Sequence, residues 1–346
     1  MAKINIRKKV PLAELTTFKV GGYAKFFTEV QSSKELAAAS RFAKKNSLPF
    51  FILGGGSDIL ISDKGFGGLV VRFVGKSIDF IPEKGHVIVT ASSGVIWDDL
   101  VKESVKKGFQ GVECLSGIPG TVGAAPIQNI GAYGQELKDV FVELNAYDFK
   151  TGRFLKFNKA RCKFDYRESI FKRPSHKGRF FITGITIKLY KEKSRTLTYE
   201  SLTSYLKKKH ISKPSLEQVR NAVLTIRGQK LDDPAVLGNA GSFFKNPIVT
   251  KTSLERIQKK YPEVPYYSAG AKKVKLFAGW LIENAGWKGR KHKNAKVSSR
   301  NALVITNPKG RATAKEVKEL SDKISHDVYK KFKIKLEPEV QFIGFN

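Results

Sequence analysis

Two glycine-rich segments are the first place in this chain where chemistry could reside. Residues 117–134 read GIPGTVGAAPIQNIGAYG, with five glycines, the small pair Ala124 and Ala125, and two long polar side chains, Gln128 and Asn129. Residues 53–60 read LGGGSDIL and follow directly on the apolar run LPFFI. Glycine permits positive φ and close approach of the backbone to a ligand. Successive amide N–H groups can then form a concave cradle for an anion. The longer run lacks both the GxGxxG of a dinucleotide turn and the Gly-Lys-Ser/Thr of a P-loop. Taken alone it reads equally as a structural loop. Two such segments in one chain point to one long phosphate-bearing ligand lying across both.

Four smaller patches are uneconomical for stability alone. In GNAGSFFKNP, residues 238–247, Ser242 follows Gly241 and precedes two phenylalanines, and Asn246 shares its face four residues on. The same patch reads as a tight turn with Phe243 and Phe244 as core anchors. No GxSxG surrounds Ser242, which argues against a hydrolase nucleophile. In DYRESIFK, residues 165–172, Arg167 could grip a carboxylate with its planar fork, or simply pair with Asp165 or Glu168. Tyr199 in LTYESL and Glu339 near the C-terminus complete the set, with a packed tyrosine and a solvated strand carboxylate as their plain readings. The five histidines are far apart and show no metal-ligand spacing, so no metal is expected.

The chain has 346 residues, room for two or three domains and a large core. No apolar segment reaches the length of a membrane span, and the charged start MAKINIRKKV reads as no secretory signal. Cys114 and Cys162 match no metal pattern and read as free thiols of a reducing cytoplasm. Against 31 acidic residues stand 63 basic ones, a formal charge of +32. The basic residues are scattered, without the interleaved aromatics of a base-stacking surface. They read as a solvated lysine surface, or as a field that steers polyanionic small substrates; nucleic acid is not expected as a partner.

The elements that must position these residues follow from apolar spacing. A strand-like stretch near 18–20, a helix over 33–46 opened by Ser32 or Ser33, and the strands LPFFIL and LVVRFV form a βαβ unit whose turn is LGGGSD. A hairpin over 78–91 turns at Lys84-Gly85. A helix over 96–108 ends at Gly108. Strands VELNAYDF, GRFLKF and RFFITGITIKLY follow the long glycine run. A helix over 215–227 carries a Ser215/Gln218 capping box. Further helices span 254–261, 278–285 and 313–332, with the strand ALVITN before the last. The tail IKLEPEVQFIGF alternates strictly, with Leu336, Pro338, Val340 and Phe342 on one side and Glu337, Glu339 and Gln341 on the other.

Seven motifs in order resemble one family, the UDP-N-acetylenolpyruvoylglucosamine reductases. They are LTTFKVGG, LGGGSDIL, GIPGTVGAAPIQNIGAYG, YRESIFK, GNAGSFFKNP, KLFAGWLIENAGWKG and LEPEVQFIG, and together they span nearly the whole chain. Ser242 and the LTYESL loop resemble the type I, serine and tyrosine-loop subtype rather than the cysteine-bearing one. The resemblance implies an α+β protein: a vanillyl-alcohol-oxidase-like FAD-binding fold in two domains plus a third α+β substrate-binding domain. The implied boundaries are 1–73 with 334–346, 74–229, and 230–333. FAD would lie between the first two, and the third would carry the UDP-sugar site.

The implied reaction is NADPH-driven, FAD-dependent reduction of the enolpyruvyl ether of UDP-N-acetylglucosamine to UDP-N-acetylmuramate, in the cytoplasm, by a monomer. Another FAD oxidoreductase of the same fold, acting on an alcohol or sugar, is the alternative. By the family pattern Ser242 protonates carbon, while Arg167 and Glu339 flank the substrate carboxylate. Glu339 beside an anion is sensible only in its protonated form. Cofactor positions would be Gly54, Gly55, Gly56, Ser57, Asp58, Ser116, Gly117, Ile118, Pro119, Gly120, Gly123, Ala124, Gln128, Asn129, Gly131, Tyr133 and Arg167. Substrate positions would be Tyr166, Tyr199, Lys230, Asn246, Lys275 and Asn284. Asp58 departs from the family's usual Asn, and a carboxylate beside a pyrophosphate must pair with a cation or turn away.

Overall fold

Apolar alternation and a handful of caps set the elements that the computed structural model shows for residues 2–191 and 197–345. The chain divides into two compact units. One comprises Met1–Val10, Ala24–Gly56 and Phe66–Gln229; the other comprises Pro11–Tyr23, Ser57–Gly65 and Lys230–Asn346.

The first unit holds two sheets. One runs in the order Arg7–Pro11, Tyr23–Val30, Phe66–Phe73, Phe50–Leu53, and its last three strands are parallel neighbours. Parallel strands need a crossover, which the helix Ser33–Lys45 supplies, its Ser32 side chain accepting the Glu35 amide as N-cap. The other sheet is antiparallel, in the order Arg153–Asn158, Phe141–Asp148, Phe180–Tyr190, His86–Ser92, Ile78–Glu83. The expected hairpin at Lys84-Gly85 joins its last two strands. Val30, Leu36, Leu69 and Val71 pack with Tyr147 and Phe181, so the two sheets share a core. A second core forms around Trp97, Leu100, Val122, Leu144 and Ile187.

The second unit is built on the antiparallel sheet Gly238–Ser242, Val304–Asn307, Ala295–Val297, Lys291–His292. A three-stranded sheet and the helices Lys251–Gln258, Ala278–Asn284 and Ala314–Phe332 cover it. Its core includes Phe18, Phe243, Phe244, Leu281, Ile324 and Leu336. The last helix starts on a capping box in which Thr313 and Glu316 satisfy each other's amides. Among the described residues no helix is long and apolar enough to cross a membrane. Cys114 and Cys162 are buried free thiols, and burial pushes both pKa values up to about 12.

Several expectations need correction. Residues 18–20 are not a strand: Phe18 and Val20 are core anchors of the second unit, and the strand is Tyr23–Val30. The intervening Gly22 lies so close to Asp63 that a Cβ would sit 2.2 Å from its carbonyl oxygen. LTYESL opens a helix, Glu200–Lys208, with Tyr199 as its N-cap residue. The helix expected over 254–261 begins earlier, at Lys251, because Thr250 caps it. The helix capped by Ser215 and Gln218 runs on to Lys230. The tail is a strand only at Gln341–Ile343, parallel to Ile59–Ile61. Before it, Pro338 offers no N–H to a ladder, and Glu339 is half-buried rather than on a solvated face.

Asp148 ends its strand as a fully buried carboxylate. Arg179 donates Nε and Nη2 to it at 2.9 and 2.7 Å, and the Lys150 amide and Thr151 hydroxyl add two more bonds. The guanidinium hydrogen bonds hold its pKa well below the usual carboxylate range despite burial. A depressed folded-state pKa adds stability that is complete above the unfolded value, about 3.9. It is lost as pH falls from there toward the folded value. Asp148→Asn is therefore expected to lower Tm at pH 7 and to flatten the acid side of the stability curve below about pH 4, read by thermal denaturation across pH.

Candidate functional site

In the first unit the two glycine segments meet backbone to backbone. A Cβ on Gly55 would sit 2.7 Å from the Cα of Gly120, closer than real side chains come. A Cβ on Gly54 would meet Ala124 Cβ and Thr121 Oγ1 at 3.1 Å each. A Cβ on Gly123 would lie 1.6 Å from Ser93 Oγ. At Gly55 and Gly123 space rather than conformation calls for glycine, and at Gly54 the fit is tight.

The start of the longer run is laced to the segment before the helix Trp97–Lys106. The Trp97 indole N–H donates to Leu115 O, the Trp97 amide to Gly120 O, and the Val122 and Gly123 amides to Val95 O and Ser93 O. With those bonds made, the amides of Gly55, Ile118, Gly120 and Thr121 donate to no acceptor among the described residues. Buried Oε1 of Gln128 likewise has no hydrogen-bond partner. Partly buried backbone donors are ordinarily paired, so four unspent N–H groups from two touching glycine segments are what an anion cradle requires. The same segments thus fit a phosphate-bearing cofactor.

Not every residue of the run is free for a ligand. The Gly117 amide donates to Asp98 Oδ1 at 2.6 Å, and the Ser116 hydroxyl donates to Glu113 O. Asn129 is fully buried, its amide donating to Glu136 Oε2 and Asp165 O while its carbonyl accepts from Lys138 N. Its side chain staples the loop. Arg167, at φ +52°, donates Nη2 to Gly131 O at 2.7 Å and stands over the Tyr166 ring. That contact pulls DYRESIFK onto the far end of the glycine run. Tyr133 and Tyr199 pack edge to face with ring centroids 5.3 Å apart.

The second unit places Ser242 at the end of its strand, beside a register shift between Asn239 and Ser242. Bulges of this kind re-aim side chains. Gly241 takes φ +71°, with its amide on Asn239 Oδ1, while Asn239 Nδ2 donates to Asp232 O and Leu237 O. Phe243 and Phe244 are buried anchors on either side of that backbone. The Ser242 hydroxyl makes no hydrogen bond with a described residue. Glu339 comes alongside, its amide donating to Phe243 O at 2.9 Å, with Phe244 bridging Pro338. Ser242 and Glu339, 97 positions apart in sequence, therefore stand on adjacent backbones.

The remaining positions scatter. Asn246 Oδ1 accepts the Ala278 amide and so anchors the helix that carries Asn284. Asn284 Nδ2 is turned back to Trp280 O. Lys275 lies on the strand Lys273–Leu276, its ammonium 5.9 Å from the Tyr267 ring. Lys230 is exposed at a helix C-terminus. Sequence reading missed Asp98, Arg220 and Arg227. Their one signal was the spacing of two arginines seven apart on a helix.

Known proteins resemble this chain over nearly its whole length. The family described as "UDP-N-acetylenolpyruvoylglucosamine reductase, C-terminal domain" matches residues 230–343, and "FAD binding domain" matches residues 24–158. A UDP-N-acetylenolpyruvoylglucosamine reductase from Flavobacterium johnsoniae is 42% identical over 342 residues, 98% of this chain and 100% of that one. Its counterpart from Pseudomonas aeruginosa is 37% identical, covering 97% and 98%. The crystal structure of the Thermus caldophilus enzyme of that name superposes with TM-score 0.67 at 25% identity, covering 99% of this chain and 100% of that one.

The Gly55–Gly120 contact is directly testable. Gly55→Ala must push one backbone off the other and is expected to cost about 1–3 kcal/mol in denaturant unfolding. Gly67→Ala, where nothing lies within 4 Å of the added carbon, is the control and should change stability little.

Proposed function

The chain belongs to the UDP-N-acetylenolpyruvoylglucosamine reductase family, and from that premise we propose that it reduces the enolpyruvyl ether of UDP-N-acetylglucosamine to UDP-N-acetylmuramate, using FAD and NADPH, in peptidoglycan precursor synthesis. The observation that carries this reading is the pair of touching glycine segments with unspent amides, at Gly55 and at Ile118, Gly120 and Thr121. Both fall inside the stretch matched as an FAD-binding domain. In this reading those N–H groups hold the cofactor's pyrophosphate, and Gln128 Oε1 accepts a donor of the same ligand. When bound there, FAD would contribute hydride chemistry, with NADPH as the source and the vinyl methylene carbon of the substrate as the acceptor.

The rest of the chemistry is asked of side chains. Hydride addition to an enol ether conjugated with a carboxylate drives negative charge onto that carboxylate. Fixed donors lower the barrier where such charge develops. Arg167 is assigned that carboxylate, its fork already oriented by Gly131 O. Glu339 shares the task in its protonated form. Ser242 then delivers a proton to the neighbouring carbon. A hydroxyl is a weak acid, so it must act at close range, about 3 Å, and its freedom from protein partners leaves it available. The turn at Gly241 and the flanking phenylalanines fix where that hydroxyl stands.

Tyr166, Tyr199, Lys230, Asn246, Lys275 and Asn284 are assigned to the nucleotide-sugar. The division into 1–73 with 334–346, 74–229 and 230–333 belongs to the same reading, as do a monomeric state and a cytoplasmic location. The excess of cations, +32 in all, would attract both polyanionic substrates.

The test separates the two half-reactions. Ser242→Ala should bind FAD and accept hydride from NADPH at nearly the wild-type rate, followed as bleaching of flavin absorbance. Formation of UDP-N-acetylmuramate should fall by a factor on the order of 10² or more, the range for a positioned proton donor. Turnover within tenfold of wild type would exclude Ser242 as the donor.

A further inference from the structure

Two arginines on the helix Leu216–Lys230, seven residues apart, share one face, and they are used differently. Arg220 spends its fork on Asp98, with Nη1 and Nη2 each 2.7 Å from a carboxylate oxygen. The same carboxylate accepts the Gly117 amide at 2.6 Å. This three-way contact ties the helix to the first residue of the long glycine run.

Arg227 is left over. It makes no hydrogen bond or ion pair with any described residue. It stands at both ends of the run at once: its Nε would lie 3.3 Å from a Cβ at Gly117, and it faces the Tyr133 phenol. A side chain at position 117 would also strike Leu224 Cδ2 at 2.8 Å, so glycine there leaves the arginine its place. The titratable groups near Arg227 are Asp98, Arg167 and the Tyr133 phenol, whose own pKa burial pushes up. Burial pushes the pKa of Arg227 down, Tyr133 and Asp98 oppose that, and Arg167 adds to it. Asp98 makes no hydrogen bond to Arg227; its carboxylate is engaged by Arg220 and the Gly117 amide.

A guanidinium offers five donors, and the described residues take none of those of Arg227, while its partial burial works against the charge it carries. A fold with no use for that charge would do better with an apolar side chain. Positive groups retained at the expense of stability mark ligand sites. Beside amides that await an anion, the group that completes Arg227 is an oxyanion.

We propose that Arg227 is a ligand-binding residue whose unspent guanidinium takes a phosphate or carboxylate of the molecule held on the glycine run, with Asp98 and Arg220 as the positioning pair that presents it. The identity of that molecule rests on the proposed function; the charge of the group that Arg227 takes does not.

The experiment compares wild type with Arg227→Gln, Arg227→Lys and Asp98→Asn. The apoprotein is melted first, with and without inorganic pyrophosphate. Arg227→Gln should melt at the wild-type temperature or about 2–4 °C above it, and should lose the rise in Tm that pyrophosphate gives the wild type. Asp98→Asn should instead melt lower, since it breaks the tie to Arg220. Those opposite signs separate the ligand-facing arginine from its positioning pair.

FAD affinity and substrate KM are then measured on the reconstituted enzyme. A tenfold or greater loss of FAD affinity in Arg227→Gln assigns the oxyanion to the cofactor. A tenfold rise in KM for the enolpyruvyl nucleotide, with FAD affinity unchanged, assigns it to the substrate. Arg227→Lys should recover part of either loss, because it keeps the charge without the fork. An Arg227→Gln apoprotein that melts well below wild type, with pyrophosphate response, FAD affinity and KM all unchanged, would overturn the proposal. Because pyrophosphate binding is read without flavin or substrate, failure of the reductase reading would leave this arm interpretable.

Discussion

The constraint on which the glycine segments of the first unit depend is the approach of Gly55 to Gly120. Two backbones lie at a separation that no side chain tolerates, and that leaves amide groups of both segments uncommitted. Much around them serves to hold the contact. Trp97 grips Leu115 through its indole, Val95 and Ser93 pair with Val122 and Gly123, and Asp98 takes the Gly117 amide. The parallel strands Phe50–Leu53 and Phe66–Phe73 deliver the first glycine segment from one side. The antiparallel sheet supports the second, Leu144 and Ile187 sharing a core with Val122 and Ile130. Unpaired N–H groups normally count against a fold. Here they are concentrated where a polyanionic ligand would satisfy them.

The second unit solves a different problem, that of keeping one hydroxyl free and fixed. Phe243 and Phe244 are buried, so the backbone at Ser242 cannot drift. Asn239 spends its amide and carbonyl on three backbone groups to shape the turn. The C-terminal segment returns to pair with Phe243 and brings Glu339 beside it. The same segment continues into a parallel pairing with Ile59–Ile61, directly after Asp58. Residues near both ends of the sequence are thereby part of one packed unit.

The arginines illustrate how charge is apportioned. Arg179 and Arg220 are each committed to a carboxylate by paired hydrogen bonds, with Asp148 and Asp98 as partners. Those pairs set geometry: one closes a strand end, the other fastens a helix to the glycine run. Arg227 is of the same residue type on the same helix face as Arg220, yet has no such partner. Uncompensated charge of that kind is costly and is informative for that reason.

Local signals were read well where they are short-range. The hairpin at Lys84-Gly85, the caps at Ser32 and Ser215, and the strands within LPFFIL and LVVRFV are all written in spacing and turn chemistry, which act within a few residues. The seven ordered motifs identified the family, because ligand-shaped glycine segments leave little latitude in composition. Burial misled where a residue's apolarity serves a distant partner. Phe18 and Val20 resemble a strand but anchor the core of the second unit, to which they belong, and Tyr199 belongs to a helix cap rather than a loop. Which amides stay unspent, which side chains are consumed as staples, as at Asn129, and which arginine is left without a partner were decided only by tertiary structure. Those outcomes depend on acceptors brought from far along the chain, and no spacing within a segment encodes them.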